Sequence, residues 1–366
     1  MYKIPPSVRE RDTMKRPAAV TLVAVLVVTA TLLTAGCLDG DDEWDGTVRV
    51  AYLQGDIHQV AYFVAKSANA GGGESFFEQY DVKVEDAKGA PYSNGGAVMT
   101  AFSAGDVDIG YLGSPPAIIG HVNSRIDTKV IGQVNSLGSA IVVREGIVNA
   151  SDLVGKTIAT PGAVTIQHFM LLTYLDDNDV DVADVTLTDS SVTLMAAALE
   201  AGEVDAFIAW EPFPADAVDR GLGHVLADSS DIWPGHICCV VGTMSQFAKD
   251  HPDEVTNYLR AHVASTKWIQ QALADNTSDE YDLLVQISMD FTGRNEAVVK
   301  DALAGMDYTY ALDGAFKTAF TEYVDKLIAQ GTLTQENLDA MGYATAQDLT
   351  DRYVVDKYLK EAETSL

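Results

Sequence analysis

The chain has 366 residues, 47% of them hydrophobic, enough to bury one large or two medium cores. Lys and Arg number 24 against 53 Asp and Glu, a formal charge of −29, which disfavours nucleic acid and anionic membrane surfaces as partners. Acid is spread along the whole chain rather than gathered in one tail, the pattern expected of a halophilic archaeon's protein. In molar salt the Debye length falls to about 3 Å, so such a surface serves hydration more than long-range steering.

From Met14, taken as the start, Lys15 and Arg16 precede an apolar run that ends in Ala35-Gly36-Cys37. A charged start, an apolar core and small residues before a cysteine form an export signal over residues 1–36. The LTAGC ending resembles a lipoprotein box, with Thr34 where that box usually has Leu. The resemblance implies cleavage before Cys37 and lipidation of its thiol. An uncleaved membrane anchor is the alternative, since the run is about long enough to span a bilayer. Either reading places the rest of the chain outside the cell, on the outer face of its membrane. Residues 37–45 then form an acidic tether, CLDGDDEWD.

In the body, TVRVAYL (47–53) predicts a strand and GDIHQVAYFVAK a helix. YDVKVEDA, VDIGYL and TKVIGQV follow as strands, separated by the helices NGGAVMTAFSAG and PPAIIGHV. The alternation restarts at GSAIVVRE (138–145), with KTIATPG, DVTLTDS and VDAFIAW as strands and TIQHFMLLTYLDD, VTLMAAALEAG and EPFPADAVD as helices. ICCVVGT (237–243) reads as a further buried strand, and from Ser245 onward the chain is mainly helical. This order predicts an α/β protein with parallel, doubly wound sheets in two lobes and a helical C-terminal part. The apolar runs near 138–143 and 237–243 are the expected crossings. Lobe one is therefore assigned 46–137 plus 244–366, and lobe two 138–243.

AFSAGDVDIGYLGSPPAI (101–118) is echoed by ALEAGEVDAFIAWEPFPA (198–215). Each copy is the last helix–strand–helix unit of its lobe, and open α/β sheets bind ligands beyond the carboxyl ends of their strands. Proline at a helix's first turn is well tolerated, so Pro115 and Pro212 predict helix N-termini aimed at a shared cleft, where free N–H groups favour anions. The strand-end turns supply the candidate ligand-binding residues. These are Gln54, Asp56 and His58 after the first strand, Asn94 and Gly95 before the second helix, Gly113 and Ser114 in the first copy, Thr165 and His168 in lobe two, and Trp210 and Glu211 in the second copy. Ser114, Asp56 and Glu211 could equally cap their own helices. Cys238 and Cys239 are adjacent and form no disulfide framework. They read as buried thiols, with a strained vicinal disulfide or metal chemistry with His236 as alternatives.

These segments, with FVAKS, GSAIVV and LVGKTIATPG, together resemble the substrate-binding proteins of ABC importers for nitrate, sulfonates, taurine and related solutes. The resemblance covers about Thr47 to Leu273 and departs at the insertion ANAGGGES (68–75). It implies the two-lobed periplasmic-binding-protein-like fold (type II), a small-molecule solute held between the lobes, and delivery to a membrane ABC permease with its cytoplasmic ATPase. A monomer is expected, with no cofactor, no resident metal and no catalysis. The GKT at 155–157 lacks the earlier P-loop glycine, and neither HExxH nor G-x-S-x-G occurs. No basic residue of 47–243 falls in the cleft turns, so an oxyanion would rest on backbone N–H groups and hydroxyls. If Asp56 and Glu211 face the ligand instead, a thiamine-precursor pyrimidine becomes the alternative, and a solute-sensing lipoprotein is a third reading.

Overall fold

The computed structural model describes residues 44–365; the expected export signal over 1–36 and the expected lipidation site Cys37 lie outside the described residues. Among the described residues no helix is long and apolar enough to cross a membrane. The chain lays down β1 (Thr47–Ala51), β2 (Lys83–Asp86), β3 (Ile109–Gly113) and β4 (Thr128–Leu137). It then crosses to β5 (Ser139–Val143), β6 (Thr157–Thr160), β7 (Thr186–Asp189), β8 (Ala206–Trp210) and β9 (His224–Asp228). It returns through β10 (Ile237–Met244) and later adds β11 (Met306–Tyr308). Two sheets result, ordered β11-β4-β10-β3-β1-β2 and β7-β6-β8-β5-β9.

Both sheets are mixed, which corrects the wholly parallel expectation. β1 pairs parallel with β2 and β3, and β6 with β7 and β8. β10 runs antiparallel to β3 and β4, and β5 antiparallel to β8 and β9. β4 passes into β5 through a single residue, and β10 re-enters from the other lobe. Neither has the helical crossover that a parallel neighbour requires. β10 also lies within the first sheet, so residues 237–243 belong with lobe one. The alternating His224–Asp228, unread in the sequence, supplies the second sheet's edge.

Helices α1 (Val60–Lys66), α2 (Phe76–Gln79), α3 (Gly95–Ala104) and α4 (Ser114–Val122) pack on the first sheet. α5 (Ile166–Asp177), α6 (Val192–Ala201), α7 (Phe213–Asp219) and α8 (Ser229–Ile232) belong to the second. The C-terminal part begins with α9 (Ser245–Asp250), α10 (Pro252–Ala274), α11 (Asp279–Thr292), α12 (Glu296–Ala304) and α13 (Gly314–Ala329). Its apolar stripes bury Ile269, Leu284, Val298 and Val299 in one core with Ile57, Val60 and Val64. That core fixes the turn before α1, which carries the site.

The repeated sequence has a structural explanation. α3 and α6 both end on a left-handed glycine, Gly105 (φ 76°) and Gly202 (φ 72°), which reverses the chain at little steric cost. Three residues on, Asp108 and Asp205 each clamp a neighbouring strand. Asp108 Oδ2 accepts the Arg49 backbone N–H at 2.8 Å and its Nε at 2.9 Å, while the Asp108 N–H donates to the Arg49 carbonyl at 2.9 Å. Asp205 Oδ2 accepts the Thr157 N–H at 3.0 Å, its own N–H donates to the Thr157 carbonyl at 2.8 Å, and Arg144 lies 3.1 Å away. Asp108→Ala should lower stability by about 2–4 kcal/mol, the range for one lost partner of a mostly buried hydrogen-bonded pair. The Asp205 carboxylate is 18% exposed against 6% for Asp108, so Asp205→Ala should cost about half as much. Denaturant unfolding of both variants in the same buffer measures this; a larger loss at Asp205 would contradict it.

Candidate functional site

The two sheets are joined where Leu137 (φ 65°) and Gly138 (φ 85°) turn the chain from β4 into β5. The Gly138 carbonyl accepts two hydrogen bonds, from the Glu211 N–H at 2.9 Å and from His58 Nε2 at 2.6 Å. The Ile57 N–H donates to the Glu211 carbonyl at 3.3 Å. The 56–59 turn, the crossing and the end of β8 are thereby tied together. A Cβ on Gly138 would stand 2.4 Å from His58 Nε2, so glycine is needed for its φ and for close approach.

Beside this knot lies a cavity of about 20 Å³ between the lobes. Leu53, Asp56, His58, Gly95, Gly113, Pro116, Cys238 and Cys239 line it from lobe one, and Thr165, Ile166, Gln167 and Trp210 from lobe two. Three helices begin on it. α3 starts at Gly95, whose missing side chain lets Pro116 approach, since a Cβ there would meet the ring at 2.5 Å. α4 starts at Ser114, and its two prolines remove two of the first-turn N–H donors that the sequence reading counted on. α5 starts at Ile166, leaving the Ile166 and Gln167 N–H groups beyond the reach of intrahelical acceptors. Ser114 Oγ and Trp210 Nε1 are buried and have no hydrogen-bond partner among the described residues. A larger recess of about 720 Å³ lies between the C-terminal half of α5 with its following loop and the end of α13, and none of these helix starts lines it.

The floor of the cavity is a His–Cys–Cys–Asp cluster. His58 Nδ1 lies 3.4 Å from Cys238 Sγ, 3.8 Å from Cys239 Sγ and 3.4 Å from Asp56 Oδ1. The two sulfurs are 3.8 Å apart, and both thiols are free. Asp56 also accepts the His58 N–H at 3.1 Å and Gln59 Nε2 at 2.9 Å. Burial pushes the Asp56 carboxyl up to about 7, against the pull of His58. Burial alone would depress His58, but Asp56 and Cys238 outweigh it and push the imidazole up to about 10. The hydrogen bond with Cys239 and the charge of His58 outweigh burial at Cys238 and hold its thiol well below the usual range; Cys239 moves the opposite way. Thiol and carboxylate face the same ring nitrogen, whereas a proton-relay triad needs them on opposite ones.

Of the sequence candidates, Asp56, His58, Gly95, Gly113, Thr165 and Trp210 line the cavity, and Ser114 is buried at its α4 edge. Gln54 is exposed. Asn94 caps α3 through the Ala97 N–H at 3.0 Å, and His168 lines a separate recess with Pro115 and Phe169. Glu211 Oε2 accepts the Ala215 N–H at 3.2 Å and lines the hinge-side recess with Asp228 and Asp301, outside the cavity. The cysteines escaped the site reading because β10 is antiparallel. Its first residues lie beside the carboxyl end of β3, Cys239 opposite Gly113, a placement the expected parallel sheet could not give.

A model of the NMT1-like family matches residues 60–282. The taurine-binding periplasmic protein of Escherichia coli (strain K12) is 28% identical over 176 residues, 47% of this chain and 54% of that protein. The chain thus spans about half the length of that relative. A putative aliphatic sulfonates-binding protein of Bacillus subtilis (strain 168) is 28% identical over 272 residues, 71% of this chain and 78% of the relative. The alkanesulfonate-binding protein SsuA from Xanthomonas axonopodis pv. citri bound to MOPS superposes with a TM-score of 0.67 at 19% identity, over 81% of this chain and 98% of that one. That likeness shows the shared two-lobed fold.

Burial also pushes the Glu211 carboxyl up to about 7; the Ala215 N–H and His58 oppose the rise, and Asp301 and Asp228 add to it. The folded state holds this proton more tightly than the unfolded chain, whose glutamates titrate near 4.3. Stability from this group is therefore full below about pH 4 and lost as pH rises towards about 7. Glu211→Gln should gain on the wild type across that window, by about 1–2 kcal/mol at pH 8. Unfolding curves at pH 5, 6.5 and 8 that stay parallel would exclude this.

Proposed function

This chain belongs to the NMT1-like family, and we propose that it captures a small oxyanion such as a sulfonate, taurine or nitrate between its lobes. It would present that solute, from a lipid anchor at Cys37 on the outer face of the membrane, to an ABC permease with a cytoplasmic ATPase. The observation that carries this reading is a pair of buried, unpartnered groups, Trp210 Nε1 on a residue that lines the cavity and Ser114 Oγ beside the lining residue Gly113. An indole N–H can only donate, and a buried donor without a partner costs about 1–3 kcal/mol. An oxyanion supplies acceptors for both, beside the starts of α3, α4 and α5. Among the described residues no Lys or Arg lines the cavity, so the donors present suit a monoanion better than a dianion.

Loading requires the lobes to part, because about 20 Å³ is room for roughly one water. They meet on two flanks, with Arg294 3.6 Å from Asp216 on one and Trp233 against Tyr323 at 4.2 Å on the other. Rotation at Leu137–Gly138 and at the β9–β10 return would separate both, as in hinged domain closure. The pyrimidine reading keeps only Asp56 of its two proposed carboxylates on the cavity.

The test is a thermal-shift screen of the full chain in molar salt with nitrate, taurine, alkanesulfonates, bicarbonate and a thiamine-precursor pyrimidine. A true solute at 100 times its Kd should stabilise by about 2.7 kcal/mol. Trp210→Phe keeps the ring and removes the N–H, and should raise Kd about 5–20-fold. Unchanged affinity would remove that donor from the site, and a response to the pyrimidine alone would move the recognition to Asp56.

A further inference from the structure

We propose that His58, Cys238 and Cys239 form a three-ligand site for one thiophilic metal ion of the Zn²⁺ class, with its fourth coordination position facing the inter-lobe cavity. Tetrahedral zinc has metal–sulfur bonds of about 2.3 Å and metal–nitrogen bonds of about 2.0–2.1 Å. Those lengths place two sulfur ligands about 3.8 Å apart and a sulfur and a nitrogen about 3.5–3.6 Å apart. The cluster has Sγ···Sγ 3.8 Å and Sγ···Nδ1 3.4 and 3.8 Å. Side chains from two places far apart in sequence therefore already stand at the corners of a tetrahedral face.

A second observation fixes which histidine nitrogen is the donor. A ligating imidazole commonly donates its other ring N–H to a carbonyl or carboxylate, which sets tautomer and ring orientation. His58 Nε2 is held at 2.6 Å by the Gly138 carbonyl, leaving Nδ1 towards the two sulfurs. His236, the nearer neighbour in sequence, stands apart, with its Nδ1 3.2 Å from the Ile237 carbonyl and 3.4 Å from the Tyr323 hydroxyl. Thiolate and imidazole donors favour zinc and other soft or borderline ions over Mg²⁺ and Ca²⁺. On binding, the protons held among His58, Cys238 and Cys239 leave to solvent, so that a neutral imidazole Nδ1 and two thiolates face the metal and the thiolates balance a divalent charge. All three residues line the cavity, so water or a solute atom completes the sphere, the open arrangement of a site that handles a ligand rather than a closed structural one. The metal site is inferred without reference to the solute, so either reading can fail alone.

The experiment uses the full chain carrying Cys37→Ser, which removes the only other thiol, stripped with chelator under a phosphine reductant and titrated with Co²⁺ without solute. The expected result is thiolate-to-cobalt charge-transfer absorption and strong tetrahedral d–d bands that saturate at one cobalt per chain, are abolished by one equivalent of Zn²⁺ and are unaffected by Mg²⁺. Cys239→Ser and His58→Gln should each weaken cobalt binding by more than the roughly 100-fold upper end for losing an outer partner of a ligand, while His236→Gln leaves the spectrum unchanged. A weak octahedral spectrum at saturation would overturn the proposal. So would thiolate bands that survive Cys239→Ser or vanish with His236→Gln. Should either cluster variant fail to fold, the stoichiometry and band intensities of the Cys37→Ser chain still decide the question.

Discussion

The Gly138 carbonyl is the constraint on which the rest of the site depends. One oxygen receives the Glu211 N–H from the end of β8 and the His58 ring from the turn before α1, so lobe two and the C-terminally buttressed part of lobe one meet at a single acceptor. Glycine is required there twice over, by its φ of 85° and because any side chain would occupy the space of the imidazole. With that oxygen fixed, the His58 ring has one orientation, and its other nitrogen points at the two cysteines. The joint between the lobes and the floor of the cavity are thus one structure.

Much of the fold was legible in the sequence because the physics that built it is local. The left-handed glycines after α3 and α6 follow from short-range sterics, and the aspartates three residues on recur because each pins a neighbouring strand, so the repeat announced two equivalent units. The same reasoning misjudged the crossings. A β-branched run such as ICCVVGT looks alike in a parallel and an antiparallel setting, and strand direction is set by the lobe from which the chain arrives. That one ambiguity moved residues 237–243 to the other lobe and hid the cysteines, whose partner His58 lies 180 residues upstream. The candidates that did reach the cavity sit on strand-end turns, where topology alone predicts convergence. Asn94, His168 and Glu211 stand on comparable turns but spend their side chains on capping or on neighbouring recesses, a choice made by rotamers that the sequence pattern does not encode.

The charge distribution separates two tasks. The sequence carries a large excess of carboxylates, and charges on a solvated surface are largely screened beyond about 10 Å even at about 0.1 M salt. On the proposed function, recognition rests on groups shielded between the lobes, where a hydrogen bond is worth more than in water. The cavity offers neutral donors, an indole N–H and helix-start N–H groups, with the Ser114 hydroxyl at its edge, whose strength depends on excluding water rather than on net charge. The two prolines in the first turn of α4 fit the same logic. They remove N–H groups that would otherwise need partners when the lobes close, leaving fewer but better aimed donors.

Placing buried carboxyl, imidazole and thiols against one another carries a cost unless each is paired. Asp56 meets that cost with the His58 N–H and the Gln59 amide, and His58 with the Gly138 carbonyl, while the two sulfurs are partnered by each other, one ring nitrogen and the Gln59 side chain. A purely structural floor would be served as well by Ala or Val on β10, where the neighbouring Val240 and Val241 are fully buried without any polar partner. Polar, ionisable atoms at the one part of that strand facing the cavity therefore point to something that enters it. Because His58 Nε2 is bound to the hinge carbonyl, whatever engages Nδ1 on the cavity side acts directly on the joint between the lobes.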